Sequence, residues 1–261
     1  MEQPVHFYNH HGEKLIGTLH LPDGPAHRGV VFGHCFTCSR HTGIIRHICS
    51  KLEREAFMAL RFDFSGNGQS QGRFDESTYS KQIQEMKIAT AFIAEKGALC
   101  IGLAGHSMGA IIAILAAARM NTIQAVCALA SRLSGLNATH FLSQSQRKQL
   151  YDTGRVSFSS RGRSLQLSAA FFADAGQYNL PETIAGLNAP LLIVHGDCDE
   201  IVPVQEAYLA QKLNNENKKI AVFPGADHMF SHKKHRQQIS ELVVEWFKKH
   251  TSEKIRKTDG H

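Results

Sequence analysis

Ser107 lies at the centre of the string Gly105-His106-Ser107-Met108-Gly109, which has the pattern G-x-S-x-G. The apolar run Leu99–Ala104 precedes this string, and the Ala- and Ile-rich run Met108–Arg119 follows it. This context predicts a strand, a turn too tight for side chains at the two glycine positions, and a helix. Such a turn strains the serine backbone and lifts its hydroxyl above the sheet, where the helix N-terminus favours developing negative charge. The context therefore predicts a nucleophilic serine, whereas the string alone also arises by chance.

A serine hydroxyl is a poor nucleophile at neutral pH, so its reaction needs a base and a group that orients the base. Two later segments carry suitable side chains. The segment His195–Pro203 ends a predicted strand and contains Asp199, and the segment Phe223–Phe230 follows the last predicted strand and contains His228. One predicted helix and one predicted strand separate the two residues, which should therefore lie at the same end of the sheet.

The order of these segments, Ser then Asp then His, resembles that of the α/β-hydrolase superfamily, and the resemblance extends over residues 5 to 249. The string from 195 to 203 is similar to the family's H-G-x-x-D-x-x-V-P segment, whose second Asp is the triad acid. The resemblance therefore implies a triad of Ser107 as nucleophile, Asp199 as acid and His228 as base. Asp197 and Asp227 are expected to stabilise turns, since Asp227 is poorly placed to grip the imidazole of its own neighbour.

Acyl transfer to a serine also needs two backbone N–H groups that point at the developing oxyanion. The amide of Met108, immediately after the nucleophile, is expected to be one of them. The resemblance implies the other, because Gly33–Thr37 is similar to the family's H-G-F segment, in which Phe36 would supply the amide. Cys35 stands where the family usually has glycine. The loop Asp63–Ser70 resembles the family's D-x-x-G-x-G-x-S loop and is expected to support this rim rather than to bind a nucleotide.

Cys35 and Cys38 form a C-x-x-C pair between a predicted strand and a predicted helix, which is also the setting of thioredoxin-like redox pairs. The rest of the chain does not look thioredoxin-like. The six cysteines are scattered, and several lie in apolar runs, as is typical of reduced and buried thiols. We therefore expect reduced cysteines, and a redox role for this pair stays an alternative.

Three histidines, His228, His232 and His235, have the spacing that would place them on one face of a helix. Three imidazoles on one face can bind a metal ion. No carboxylate or cysteine accompanies them, and the intervening basic residues Lys233 and Lys234 would repel a cation. We expect no metal and no cofactor.

Alternating apolar and polar residues at Val5–Tyr8 and Lys14–Leu21, on either side of Asn9–Gly12, predict a β-hairpin. Short apolar runs then alternate with helical patterns, which favours an α/β fold with a mostly parallel, twisted sheet of about eight strands and helices on both faces. The predicted strands are Gly29–Gly33, Phe57–Phe62, Leu99–Ala104, Ala125–Ala130, Leu191–His195 and Ile220–Phe223. The predicted helices are Gly43–Glu55, Ser80–Glu95, Met108–Arg119, Val204–Leu213 and Gln237–Lys249.

The alternation stops between Ser131 and Pro181, where a long insertion of this kind is typical of a functional lid. We expect a hydrolase core at 1–130 and 182–250, a lid at 131–181 and a flexible basic tail at 251–261. Within the lid, a hairpin of Arg155–Phe158 and Ser164–Leu167 and a helix over Gln166–Ala175 are predicted. Five basic residues against one acidic residue between 145 and 168 suggest that the lid gathers anionic substrates, although a merely solvated basic face explains them equally well.

The chain has 261 residues, of which 43% are hydrophobic and 20% charged, as in globular proteins. Its first residues lack the pattern of a signal peptide, and no apolar run is long enough to span a membrane, so a cytoplasmic protein without membrane insertion is expected. The net charge is +6, but the basic residues are dispersed and no nucleic-acid-binding module is present, so no nucleic-acid partner is expected. The sequence does not indicate an oligomeric state.

These features predict a carboxylic ester hydrolase that forms an acyl-enzyme with a small to medium acyl ester. Within the family, the layout resembles feruloyl or cinnamoyl esterases and monoacylglycerol lipases, although the fold does not determine the substrate. A thioesterase or a serine peptidase would use the same triad. A non-catalytic binding protein on the same scaffold is the alternative from a different class.

Overall fold

A computed structural model describes residues 1–136, 139, 142–213 and 217–252 of the chain. Its strands are β1 (Glu2–Tyr8), β2 (Lys14–His20), β3 (Arg28–Gly33), β4 (Phe57–Phe62), β5 (Cys100–His106), β6 (Ile123–Leu129), β7 (Arg155–Ser160), β8 (Arg163–Ser168), β9 (Leu191–Gly196) and β10 (Lys218–Phe223). Among the described residues, eight strands form one sheet in the order β1-β2-β4-β3-β5-β6-β9-β10, and β7 pairs with β8 separately. The predicted sheet is confirmed.

The first two strands form the predicted hairpin, and its turn is made by residues 9–12. Asn9 accepts hydrogen bonds from the backbone N–H groups of His11 and Glu13 through its side-chain Oδ1. Gly12 has φ +73°, a conformation that glycine adopts without steric cost. β1–β2 and β2–β4 are antiparallel, and the remaining pairs of the large sheet are parallel. Parallel strands end at a common edge, so loops that follow β3, β5, β9 and β10 can meet.

Helices cover both faces of the large sheet. The helices are α1 (Gly43–Arg54), α2 (Tyr79–Glu95), α3 (Met108–Ala117), α4 (Gln144–Thr153), α5 (Ala169–Ala175), α6 (Leu180–Ala185), α7 (Gln205–Gln211) and α8 (Lys233–His250). One core cluster packs α1 and α8 against the sheet, and the other packs α2 and α3 against the opposite face. Neighbouring strand residues alternate between the two clusters: Val30 and Phe32 belong to the first, and Val31 belongs to the second. Strands buried on both faces explain the continuous apolar runs of the sequence.

The segment between β6 and α6 contains α4, β7, β8 and α5 and has its own short sheet. The predicted hairpin is confirmed, but its loop is only Arg161–Gly162, which is shorter than predicted. The predicted helix over Gln166–Ala175 begins too early, because residues 166–168 belong to β8 and the helix begins at Ala169. α4 was not predicted. It buries none of its side chains and therefore gives no apolar periodicity.

The last helix begins at Lys233, four residues before the predicted start, because charged residues at that end hide the helical pattern. It ends at His250, and Thr251 is buried with its amide and hydroxyl both donating to the Phe247 carbonyl. The predicted flexible tail therefore starts too early at 251, and residues 253–261 lie outside the described part of the chain. Among the described residues, no helix has the length and apolar character needed to cross a membrane.

Candidate active site

Ser107 occupies a sharp turn between β5 and α3, with φ +55° and ψ −119°. Positive φ is rare for a residue other than glycine and marks backbone strain. A side chain at Gly109 would place its Cβ 2.3 Å from the Gly33 carbonyl oxygen, and one at Gly105 would lie 2.1 Å from the Gly109 carbonyl. Both glycines are thus required where β3, β5 and α3 approach each other. The predicted strand, tight turn and helix are all present.

Asp199 and His228 meet beyond the ends of β9 and β10, where the Nδ1 of His228 lies 2.8 Å from Oδ2 of Asp199. The other carboxylate oxygen of Asp199 accepts the backbone N–H groups of Ile201 at 2.9 Å and Val202 at 2.7 Å. His195 reaches the same carboxylate, with Nε2 at 3.3 Å from Oδ2. These contacts fix both oxygens of a side chain that is fully buried.

The surroundings of Asp199 keep it ionised. Burial alone would raise the pKa of its carboxyl, but hydrogen bonds from His195, His228 and the Val202 amide outweigh burial and hold that pKa well below its usual value. A permanently charged Asp199 accepts the Nδ1–H of His228, so that Nε2 is the ring nitrogen left to act as a base.

The neighbouring acids have other partners. Asp197 accepts the backbone N–H of Gly225 at 2.7 Å and so ties the loop after β9 to the loop after β10. Asp227 accepts the amide of Ser231 at 2.7 Å within its own turn. Both side chains therefore stabilise turns, as expected from the sequence.

The three-histidine face considered from the sequence does not form. His228 lies in a loop, and His232 precedes the first residue of α8, so the helical spacing does not apply. The His232 ring accepts the Lys234 amide and lies 5.4 Å from the His235 ring. Within the described parts of the chain, no group of three or more potential ligands is arranged around a metal position.

His106, which sequence analysis did not single out, connects the nucleophile turn to the loop of the base. Its Nε2 lies 2.8 Å from the backbone carbonyl of His228, so Nε2–H donates to that oxygen. Burial, followed by the neighbouring His228, lowers the pKa of His106 to about 3 and keeps it neutral. The G-x-S-x-G string gives the position of this residue, but only the fold shows that its partner is 122 residues away.

The loop after β3 carries Phe36 between two bonded cysteines. Cys35 and Cys38 form a disulfide, and the Cys38 amide also donates to the Cys35 carbonyl at 3.0 Å. The expectation that all cysteines are reduced is therefore wrong for this pair, because the turn brings the two Cα atoms to 5.2 Å, within the range that a disulfide spans. The other four cysteines are free. His34 supports the same turn by donating from Nδ1 to the Cys35 carbonyl at 2.7 Å.

Asp63 and its loop support this rim from below. The buried Asp63 carboxylate accepts the Arg40 amide at 2.6 Å and the Gln69 amide at 3.0 Å, and it pairs with the Arg40 guanidinium. Gly68 has φ +55°, and a Cβ there would collide with the Asp63 carboxylate. The loop thus braces the chain just after Cys38, which is the structural role expected from the sequence.

Two cavities meet at Ser107. The first has a volume of about 270 Å³ and is lined mainly by apolar side chains, among them Tyr79, Ile111 and Phe171. The second has a volume of about 360 Å³ and is lined by His228 as well as by Ser107. Phe36 lines both cavities. The structure therefore brings the predicted nucleophile and base to one cavity wall, with Asp199 behind the base.

Comparison with known proteins identifies the family of the chain. The model of the prolyl oligopeptidase family matches residues 80–254, which is more than half of the chain. The chain belongs to the prolyl oligopeptidase family. It is also similar to the monoacylglycerol lipase of Mycolicibacterium smegmatis, with 23% identity over 269 residues that cover 92% of this chain and 94% of the relative.

Solved structures show the same fold. The esterase Est1E from Butyrivibrio proteoclasticus, with ferulic acid bound, has a TM-score of 0.82 and 25% identity, and the match covers 94% of this chain and 98% of that one. The esterase domain of a Rhodothermus marinus protein has a TM-score of 0.77 and 23% identity, with 97% of this chain and all of that one covered. This member of the prolyl oligopeptidase family is therefore an α/β hydrolase of the esterase and lipase type.

Proposed function

We propose that this hydrolase is a serine carboxylic ester hydrolase that acts through an acyl-enzyme, with Ser107, His228 and Asp199 as its triad. The observation that carries the proposal is the 2.8 Å contact between His228 Nδ1 and Asp199 Oδ2. The side chain of His228 lines the same cavity as Ser107. An oriented imidazole beside a strained serine is the arrangement that serine catalysis requires.

In the proposed reaction, the Ser107 Oγ attacks the ester carbonyl carbon while Nε2 of His228 takes the hydroxyl proton. The carbonyl oxygen becomes an oxyanion, which the amides of Met108 and Phe36 stabilise; each such donor contributes roughly 10²–10³-fold to the rate. His228 then gives its proton to the departing alcohol, and the acyl group stays on Ser107. Water, deprotonated by the same imidazole, hydrolyses the acyl-enzyme.

The two cavities suggest where each half of the ester binds. The base must contact the alcohol that it protonates, so the alcohol belongs in the cavity lined by His228. The acyl group then enters the apolar cavity of about 270 Å³, whose aromatic lining suits a small to medium acyl chain or an aromatic acid. At its wall, Arg132 lies 3.6 Å from the buried carboxylate of Glu206.

The segment 131–181 is proposed to act as a lid over both cavities. Phe171 of α5 lines the acyl cavity, and Phe158 of β7 lines the alcohol cavity. The Ser160 hydroxyl lies 2.8 Å from the Thr37 hydroxyl, so the hairpin also touches the loop of Phe36. A segment that contributes walls to both cavities determines which esters enter.

The proposed function is tested by labelling with a fluorophosphonate probe and mapping the modified peptide by mass spectrometry. We expect one label on Ser107 and none in Ser107→Ala, which should also lose ester hydrolysis. Ser145→Ala, in an exposed position on α4, is the matched control and should label normally. Absence of labelling in the wild-type protein would favour the non-catalytic binding protein instead.

Membership in the prolyl oligopeptidase family favours a peptidase as the second candidate. The same triad would cleave an amide if the alcohol cavity accepted an amine. Turnover of p-nitrophenyl esters, acyl-CoA and aminoacyl amides, measured side by side, separates the candidates. The ester hydrolase proposal expects kcat/KM to be highest for the esters, and a preference for aminoacyl amides would overturn it.

A further inference from the structure

A third cavity adjoins the proposed alcohol cavity on the side of the β7–β8 hairpin. Its volume is about 400 Å³, and its lining includes Ser39, Thr42, Arg161 and Arg163. Thr37 and Arg161 line both this cavity and the alcohol cavity. A group attached to the departing alcohol would therefore extend into a space that carries two guanidinium groups and several hydroxyl groups.

The charge of this third cavity is not balanced by its own walls. Among the lining residues in the described part of the chain, none is an aspartate or a glutamate. Among the described residues, neither arginine forms an ion pair: Arg163 donates to the Thr37 carbonyl at 2.9 Å, and Arg161 approaches the Met229 sulfur at 3.5 Å. Arg155, on the same hairpin, is instead paired with Asp75 at 2.7 Å.

A carboxylate next to the lining of the cavity is already neutralised. Asp63 lies under Gly68, which lines the cavity, but its oxygens bind the Arg40 guanidinium and two backbone amides. Arg236 adds positive charge beside the cavity, because its guanidinium lies next to Gly43 of the same lining. An anion in this cavity would therefore meet cations that have no acidic partner there.

The backbone at Arg161 gives a second reason to regard the arginine as functional. Arg161 and Gly162 form the two-residue turn of the hairpin, with φ +52° and φ +73°. Turns of this kind favour Asn, Asp or Gly at both positions, and another residue at φ above zero costs about 1 kcal/mol. Arg161 thus occupies a turn position that is unfavourable for arginine, and it lines both cavities where they adjoin. Backbone strain of this kind is common at functional sites.

We propose that Arg161 and Arg163 bind an anionic group, a carboxylate or a phosphate, carried by the alcohol half of the ester. Guanidinium groups form paired, charge-assisted hydrogen bonds with both kinds of anion. The inference rests on the proposed ester hydrolysis at Ser107. It narrows the substrates to esters whose alcohol half carries a carboxylate or a phosphate. Because both arginines are exposed in the free protein, screening by salt limits the gain to about tenfold.

The test compares butyryl esters of three phenols of similar size: 3-hydroxybenzoate, 3-hydroxyphenyl phosphate and the neutral 3-hydroxybenzamide. In the wild-type protein, kcat/KM for at least one anionic ester should exceed that for the neutral ester about tenfold. Arg161→Gln should remove most of this preference, which is measured as the ratio of kcat/KM for the anionic ester to kcat/KM for the neutral ester, because Arg161 also lines the alcohol cavity. Arg163→Gln should also reduce the preference for the anionic ester. Here too the ratio of kcat/KM between the esters is compared, because the bond from Arg163 to the Thr37 carbonyl also holds the loop of Phe36.

Lys148→Gln is the control for net charge, since it removes one charge from an exposed position on α4 of the same segment. It should retain the preference. Equal kcat/KM for all three esters in the wild-type protein, or a preference that Arg161→Gln retains, would overturn the inference. If the neutral ester is hydrolysed and Ser107→Ala abolishes this activity, the proposed function still stands. If none of the esters is hydrolysed, the proposed function itself fails.

Discussion

At the scale of single residues, Asp199 has contacts that Asp197 lacks. Asp199 binds the imidazole of His228 and two backbone amides, whereas Asp197 accepts a backbone amide of the adjoining loop. The two carboxylates are only two residues apart in the sequence. Matched variants can therefore separate the orientation of the His228 imidazole by Asp199 from the support that Asp197 gives to the adjoining loop.

Asp199→Asn should lower kcat for ester hydrolysis roughly 10³–10⁴-fold with little change in KM. The amide no longer stabilises the imidazolium and favours the wrong tautomer of His228. Asp197→Asn is the control and should keep kcat within about threefold. Steady-state kinetics of both variants checks this, and a larger loss in Asp197→Asn than in Asp199→Asn would exchange their roles.

The residues that the sequence could predict are those with local signals. Ser107 lies in a recognisable string, and Asp199 and His228 lie in segments that resemble the family's motifs. His106 could not be singled out, because its contact with the His228 carbonyl depends on how separate loops meet at the sheet edge, and the local contact of His195 with Asp199 depends on how the chain turns between them. The Cys35–Cys38 disulfide was missed for a different reason. The scattered cysteines in apolar runs indicated reduced thiols in general, whereas the local turn brings these two residues close enough to form a bond.

At the scale of elements, the close approach of β3, β5 and α3 holds the nucleophile turn in its strained form. A Cβ on Gly109 would meet the backbone of Gly33 and His34 at 2.3–2.6 Å. Backbone atoms of two packed elements cannot move aside as a flexible side chain can, so α3 would have to shift.

Gly109→Ala should therefore lower the free energy of unfolding by about 2 kcal/mol or more, as overpacking does in tight interiors. It should also reduce kcat, since Ser107 and the Met108 amide move with the helix. Gly186→Ala is the control, because its Cβ would find only an ordinary contact at 3.6 Å. Urea unfolding of the two variants provides the comparison, and equal stabilities would contradict the steric argument.

Elements with a strong apolar pattern were predicted well, and polar ones were not. The strands of the parallel sheet are buried on both faces, so their runs stand out in the sequence. In α4 the available signals were at its ends, the capping box of Ser143 and Gln146 and the left-handed Gly154, since this helix buries no side chain. In the inserted segment, the sequence thus indicated the hairpin and α5 but not α4.

At the scale of the whole molecule, stability should depend on pH through histidines that are buried in the neutral form. Burial lowers the pKa values of His20, His34 and His106, the last to about 3. In the unfolded chain these groups titrate near 6.5, so below pH 6.5 the unfolded state binds more protons than the native state, and for His106 this difference persists down to about pH 3. The stabilisation is complete above pH 6.5 and is lost progressively as pH falls towards 3.

His106→Gln isolates one of these contributions, because glutamine can still donate to the His228 carbonyl but does not titrate. Between pH 7.5 and pH 5.0, the wild-type protein should lose about 2 kcal/mol more free energy of unfolding than the variant, at up to about 1.4 kcal/mol for each pH unit below 6.5. The other buried histidines contribute equally to both proteins and cancel in this difference. Urea titrations at the two pH values measure it, and an NMR titration of the wild-type His106 ring should show no protonation down to pH 5. Equal losses in the two proteins, or a ring that protonates near pH 6.5, would show that His106 is not held neutral by the fold.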